Sequence, residues 1–159
     1  MTSKNDFAED EWAHIVRAPF LVGMAVSLAD PGGPIEATKE TMATLKGATN
    51  PPSREQLLTD VALDVQSMTQ QRTNPLGGYR PDTHLDPREQ VLQDLRAVRE
   101  LIAAKATPEE AAAFGLWMVD VAQAAADAAK EGGFMGIGAK RVSDSEKTML
   151  DRVRETFTG

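Results

Sequence analysis

The stretch TPEEAAAFGLWMVDVAQAAADAAK, residues 107–130, decides the fold. Thr107 can accept a hydrogen bond from the backbone amide of Glu110 while the Glu110 side chain reaches back to Thr107. Pro108 between them takes the first helical position, where a missing N–H costs nothing. Behind that start, Phe114, Trp117, Met118, Val121, Ala122 and Ala125 recur at three- and four-residue spacing, which is one face of a helix. Alanine, the best intrinsic helix former, fills much of the rest. The stretch is predicted to be a long, weakly polar helix.

Outward from it, the same signature recurs. Asp6 with Glu9, Ser53 with Gln56, Asp86 with Glu89 and Ser143 with Glu146 each read as a cap followed by its reciprocal acid or amide, and Gly33-Pro34 marks one more start. Apolar faces follow these starts. The first carries Trp12, Ile15 and Val16, then Phe20, Met24, Val26 and Leu28, with Pro19 expected to kink it. Others carry Leu58, Val61, Val65 and Met68; Val91, Leu95, Val98 and Ile102; and Met149, Leu150, Val153 and Phe157. No segment alternates with a period of two, and aromatics are only 5% of the chain, so a sheet is disfavoured. The expectation is an all-α, compact bundle of about six helices with the first and fifth at its centre. Its 159 residues suit a single helical domain, 1–159, interrupted by an exposed connection at about 73–85, where Pro75, Gly77, Gly78 and Pro81 suit neither helix nor strand. Both ends share an outline: Ala29-Asp30-Pro31-Gly32-Gly33 closes the first helix and Ala129-Lys130-Glu131-Gly132-Gly133 the fifth. Either the chain holds two related helix-turn-helix halves, or these are two ordinary glycine helix ends.

Lys and Arg number 17 against 24 Asp and Glu, a net charge of −7, which opposes nucleic-acid binding. The absence of cysteine excludes disulfides and thiolate chemistry. Met1 to Glu11 is polar and acidic rather than signal-like, and no apolar run approaches the ~20 residues that span a bilayer. No membrane span and a cytoplasmic location are therefore expected.

Two constellations suggest chemistry. From Gly132 to Ser143, the glycines Gly133, Gly136 and Gly138 with Lys140, Arg141 and the capping Ser143 could surround an anion. The spacing is not that of a phosphate loop. The structural alternative has the glycines turning the chain while Phe134, Met135 and Ile137 enter the core. The second is a divalent-cation site from Asp30, Glu36 and Glu40 in one half and Glu131, Asp144 and Glu146 in the other. Helix capping would explain several of these carboxylates equally. His14 and His84 stand apart, without ligand spacing, and Trp12 and Trp117 read as core anchors. With no recognisable nucleophile or phosphate loop, the sequence reads as a non-enzymatic binding or interaction domain with a protein partner or self-association. The alternatives are a divalent-cation-binding protein and a small enzyme using a carboxylate site.

Ala29-Asp30 before the glycines, and Val142-Ser143-Asp144-Ser145-Glu146, resemble the signature of tellurite-resistance B-like helical domains. In those an Ala-Asp-Gly turn precedes Ile or Val, Ser or Asp, two variable residues and Glu. Phe7, Glu11-Trp12, Ala18-Pro19-Phe20 and Gly132 to Gly138 resemble related bacterial helical proteins. The resemblance implies a compact all-helical fold and, for some relatives, cation-holding carboxylates and a place in stress response. Pro31 stands where the pattern has glycine, and Glu40 falls five rather than four positions after Ile35.

Overall fold

A computed structural model describes residues 1–81, 84–130 and 142–158. The chain is all-α: a 3₁₀ turn, Lys4–Asp6, precedes α1 (Glu9–Ala29), α2 (Pro34–Ala48), α3 (Gln56–Gln70), α4 (Pro87–Lys105), α5 (Pro108–Lys130) and α6 (Asp144–Thr158). The described residues contain no strand. As expected, α1 and α5 form the centre: they pack on each other, and each also touches all four remaining helices. Ile15, Val22, Ala25 and Val26 of α1 and Phe114, Met118, Val121 and Ala122 of α5 are essentially without solvent contact. In each half, the short helix packs on the long one before it and also touches the long helix of the other half.

Two helix starts lie elsewhere than the capping pattern placed them. Asp6 accepts from the Ser3 amide at 2.8 Å and closes the 3₁₀ turn, while α1 starts at Glu9 with the Glu11 carboxylate reaching back to the Ala8 amide at 2.8 Å. Ser53 caps nothing, because α3 begins only at Gln56, with Glu55 preceding it. Asp86 does cap α4, through the Arg88 amide at 2.9 Å, but Glu89 is held by Arg152 instead of turning back. Thr107 with Glu110 and Ser143 with Glu146 form reciprocal boxes.

The helix α1 continues as one element through Pro19. Its 21 residues, with a mean hydropathy of 1.4 over the most apolar window, are long and apolar enough to cross a membrane by length and composition, which corrects the expectation that no stretch approaches that length. In this fold its apolar side is spent on the bundle core. The connection after α3 is less exposed than expected, since Leu76 and Tyr79 are half-buried against the core.

Two glycines fix how closely α2 lies to the centre. A Cβ on Gly23 of α1 would come within 2.5 Å of Thr44 Oγ1, and one on Gly47 of α2 within 3.1 Å of Val121 Cγ2 on α5. The helix is thus clamped on both sides. In an open helix Gly→Ala gains roughly 0.5–1 kcal/mol. At Gly23 the sign should reverse, with Gly23→Ala costing about 1–3 kcal/mol by overpacking. Urea unfolding should show that loss, and Thr44→Ala in the same chain should recover most of it. Wild-type stability for the single variant would mean that the two helices are not in such close contact.

Candidate functional site

The inward stripe of α2 is unusual because it is polar: Glu40 and Thr44 are buried together with Ala48, at successive four-residue steps. Glu40 is only 4% exposed. A buried carboxylate must be compensated, since stripping its water costs several kcal/mol. Ser27 Oγ, across on α1, donates to Glu40 Oε2, and the two groups tie the helices together. Thr44 turns its hydroxyl back onto the Glu40 carbonyl at 2.8 Å. Because Gly23 has no side chain, Thr44 can lie directly against α1, and beside it α1 and α2 leave a cleft of about 230 Å³. Phe20 and Met24 of α1 and Leu76 of the connection after α3 form its apolar walls; Ser27, Glu40, Thr41 and Thr44 supply its polar atoms.

The remaining carboxylates of the expected cation site do not join Glu40. Asp30 follows the last turn of α1, Glu36 lies over Gly32 and Gly33, and Glu146 is a capping acid on α6, 1% exposed and bonded by the Ser143 hydroxyl at 3.1 Å. Among the described residues, no three Asp, Glu or His side chains gather as a metal site. Asp30, Glu36 and Glu40 therefore do not form the cluster the sequence suggested: Glu40 turns into the bundle while Asp30 and Glu36 stay at the turn. Glu131, and Gly133, Gly136, Gly138, Lys140 and Arg141 of the candidate anion loop, lie outside the described residues, as do Phe134, Met135 and Ile137. Ser143 is described, and its hydroxyl is engaged with Glu146 as a helix cap.

No known protein family, characterised protein or solved structure matches this chain. The cleft must be judged on its own residues, beside two polar sites that the sequence did not announce. In the first, the Arg17 guanidinium lies 5.4 Å from the centre of the Tyr79 ring, and the Tyr79 hydroxyl donates to Asp94, which also accepts from Gln90 at 3.1 Å. Burial, reinforced by Asp94, pushes the Tyr79 phenol well above its usual range. The group encloses only about 110 Å³ and clasps the connection onto α1 and α4, a structural duty. Its one advance signal was a lone tyrosine in a Pro- and Gly-rich segment.

The second is a charged cleft of about 440 Å³ where the first turns of α4 and α6 meet. Arg152 forks onto Glu89 at 2.5 and 2.9 Å, and Arg88 pairs with Asp86 at 3.2 Å. The Arg152 hydrogen bonds hold the Glu89 carboxyl below its ordinary range, and the Glu89 hydrogen bonds raise the Arg152 guanidinium. Both arginines are already engaged by carboxylates, and Asp144 adds another negative charge, so an anion gains little there.

Proposed function

We propose that this chain is a non-enzymatic binding domain whose α1–α2 cleft takes a small ligand. One observation carries the reading: a carboxylate that is 4% exposed joins three hydroxyl side chains on the polar side of a cleft of about 230 Å³ whose other walls are apolar. Buried charge is expensive to maintain, and a cleft with apolar walls and a few convergent polar groups is the usual form of a ligand site. Turnover fits less well. Ser27 spends its proton on Glu40, and the described lining residues offer neither an imidazole nor a second acid to relay it. The cation-binding stress-response reading would need its carboxylates together, and Asp30, Glu36 and Glu40 are not clustered.

An amide-resolved NMR titration with a library of small fragments tests this reading. Shifts are expected to concentrate at Phe20, Gly23, Met24, Thr44 and Leu76. Binding that maps consistently to another face, or the absence of any cleft response across the library, would remove the proposal.

A second reading rests on the outer side of α2, where Ile35 and Met42, 69% and 67% exposed, share one face two turns apart. Such a surface suits a protein partner or self-association.

A further inference from the structure

We propose that the connection after α3 is a lid on the α1–α2 cleft, in which residues 73–78 carry Leu76 in and out while the Tyr79 clasp holds their far end. The device presupposes the binding reading above and governs how that cleft opens. Of the eight described residues that line the cleft, seven stand on α1 and α2, and Leu76 alone comes from a segment outside the helices. Packed helices thus fix most of the wall, and the rest hangs on a loop.

That loop is built as a small flap between two fixed points. At its start, Arg72 takes the left-handed conformation, φ 57°, and the Thr73 amide donates to the Met68 carbonyl at 2.8 Å, which closes the end of α3. Asn74 then folds the next residues on themselves: its carbonyl accepts from the Gly77 amide at 2.8 Å and its side chain from the Leu76 amide at 3.0 Å. Both bonds are internal to the turn, so they survive if the turn swings. Leu76 and Tyr79 each pack against the core, but in different places. Leu76 enters the α1–α2 cleft, whereas the Tyr79 ring lies beneath Arg17 and its hydroxyl donates to Asp94 on α4. Tyr79 is therefore held by a cation above its ring and by a carboxylate as well as by burial, and Leu76 by apolar contact, so Leu76 is the end that lets go.

Between the two stand Gly77 and Gly78. A Cβ at either would meet nothing within 4 Å, and of the pair only Gly77 has a left-handed φ, 58°. Gly78 is thus required neither by space nor by a positive φ; it supplies backbone freedom between the anchor and the flap. Opening breaks the bond from the Tyr79 amide to the Leu76 carbonyl, 3.0 Å, and uncovers one half-buried leucine. A local opening that gives up so few contacts is reached without unfolding the bundle.

The chain has no cysteine, so a single thiol introduced by Met24→Cys, inside the cleft, reports the opening through its rate of reaction with iodoacetamide. Tyr79→Phe takes the hydroxyl from the anchor while Gln90 still serves Asp94 at 3.1 Å. It should raise the rate roughly twofold to tenfold, the worth of one hydrogen bond. Gly78→Ala stiffens the hinge and should slow the reaction roughly twofold to fivefold. The rate should change little with low concentrations of urea, because a lid exposes little surface, whereas global unfolding responds steeply. A thiol from Ile35→Cys, on the exposed face of α2, is the control that neither Tyr79→Phe nor Gly78→Ala should affect. Equal cleft rates with and without the two lid substitutions, or a steep dependence on urea, would overturn the lid and leave the cleft reading in place. Where Met24→Cys does not fold, relaxation dispersion at the Leu76, Gly77 and Gly78 amides of the unaltered chain decides: microsecond-to-millisecond exchange supports the lid and flat profiles overturn it. If the lid moves but the fragment library leaves the cleft unmoved, the binding reading goes, and with it the lid's role as a gate.

Discussion

Trp117→Ala is expected to lower the unfolding free energy by about 3–5 kcal/mol, the usual cost of truncating a fully buried aromatic. For a domain of this size that is a fall of roughly 6–20 °C in Tm. Trp117 is 1% exposed, meets Phe114 edge-on with ring centres 6.0 Å apart, and donates from Nε1 to the Gly47 carbonyl at 2.8 Å. That carbonyl belongs to the last turn of α2, where backbone acceptors have no partner within the helix. The indole therefore fills the centre of the core and also caps α2 against α5. Trp117→Phe separates the two roles. It keeps a ring in place, and the Asn50 amide still reaches Gly47 O at 3.2 Å, so the loss should be about 1–2 kcal/mol. Urea denaturation followed by circular dichroism measures both. A cost below 1 kcal/mol for the alanine variant would show that Trp117 is not at the core.

The second large effect is on acid stability and is centred on Glu110. Its carboxylate accepts from the Thr2 amide at 2.9 Å and the Thr107 amide at 3.0 Å. Burial alone would raise the carboxyl pKa, but the bonds from Thr2 and Thr107 outweigh it and bring it down from 4.5 to about 2. A carboxyl depressed on folding stabilises the native state fully above its unfolded pKa, and that stabilisation is lost as pH falls through the folded value. The window is therefore between about 4.5 and 2, and the amount is about 3 kcal/mol. Glu110→Gln removes the charge and points an N–H₂ where an acceptor is needed. It should lose up to that much at neutral pH and nothing near pH 2, so the two stability curves converge on acidification. Other carboxylates with lowered pKa, such as Glu11 and Glu89, titrate in both proteins and cancel in the difference. A constant gap between the curves across this range would contradict the assignment.

Much of the architecture was legible because helix periodicity and capping are local. Phe114, Trp117, Met118 and Val121 lie three and four residues apart whatever surrounds them, and Thr107–Glu110 and Ser143–Glu146 close within a single turn. Errors arose where a distant partner outbid the local one. Glu89, expected to turn back on Asp86, is taken by an arginine 63 residues away. Asp6 is used by the turn before α1, which displaces the helix start to Glu9.

The candidate site was legible only as a carboxylate. That Glu40 would meet Ser27 depends on the packing of α2 on α1, and that Thr44 would lie against α1 depends on a glycine in that other helix. Neither follows from spacing along the chain. The clasp of Arg17, Tyr79 and Asp94 was missed for the same reason, since its members come from three segments.

The central position of α1 bears on how the protein is made. Its main partners are α4 and α5, and α5 begins only at Pro108. At ~5–20 residues per second, the ribosome needs on the order of 5–20 s after completing α1 to deliver them. Throughout that interval an apolar helix of 21 residues has no core to enter. The nascent chain must meanwhile rely on transient contacts with α2 and α3 or on a chaperone. Newly synthesised protein should therefore be far more prone to aggregate than the finished fold, and premature termination before α5 should yield a product that cannot stay dispersed.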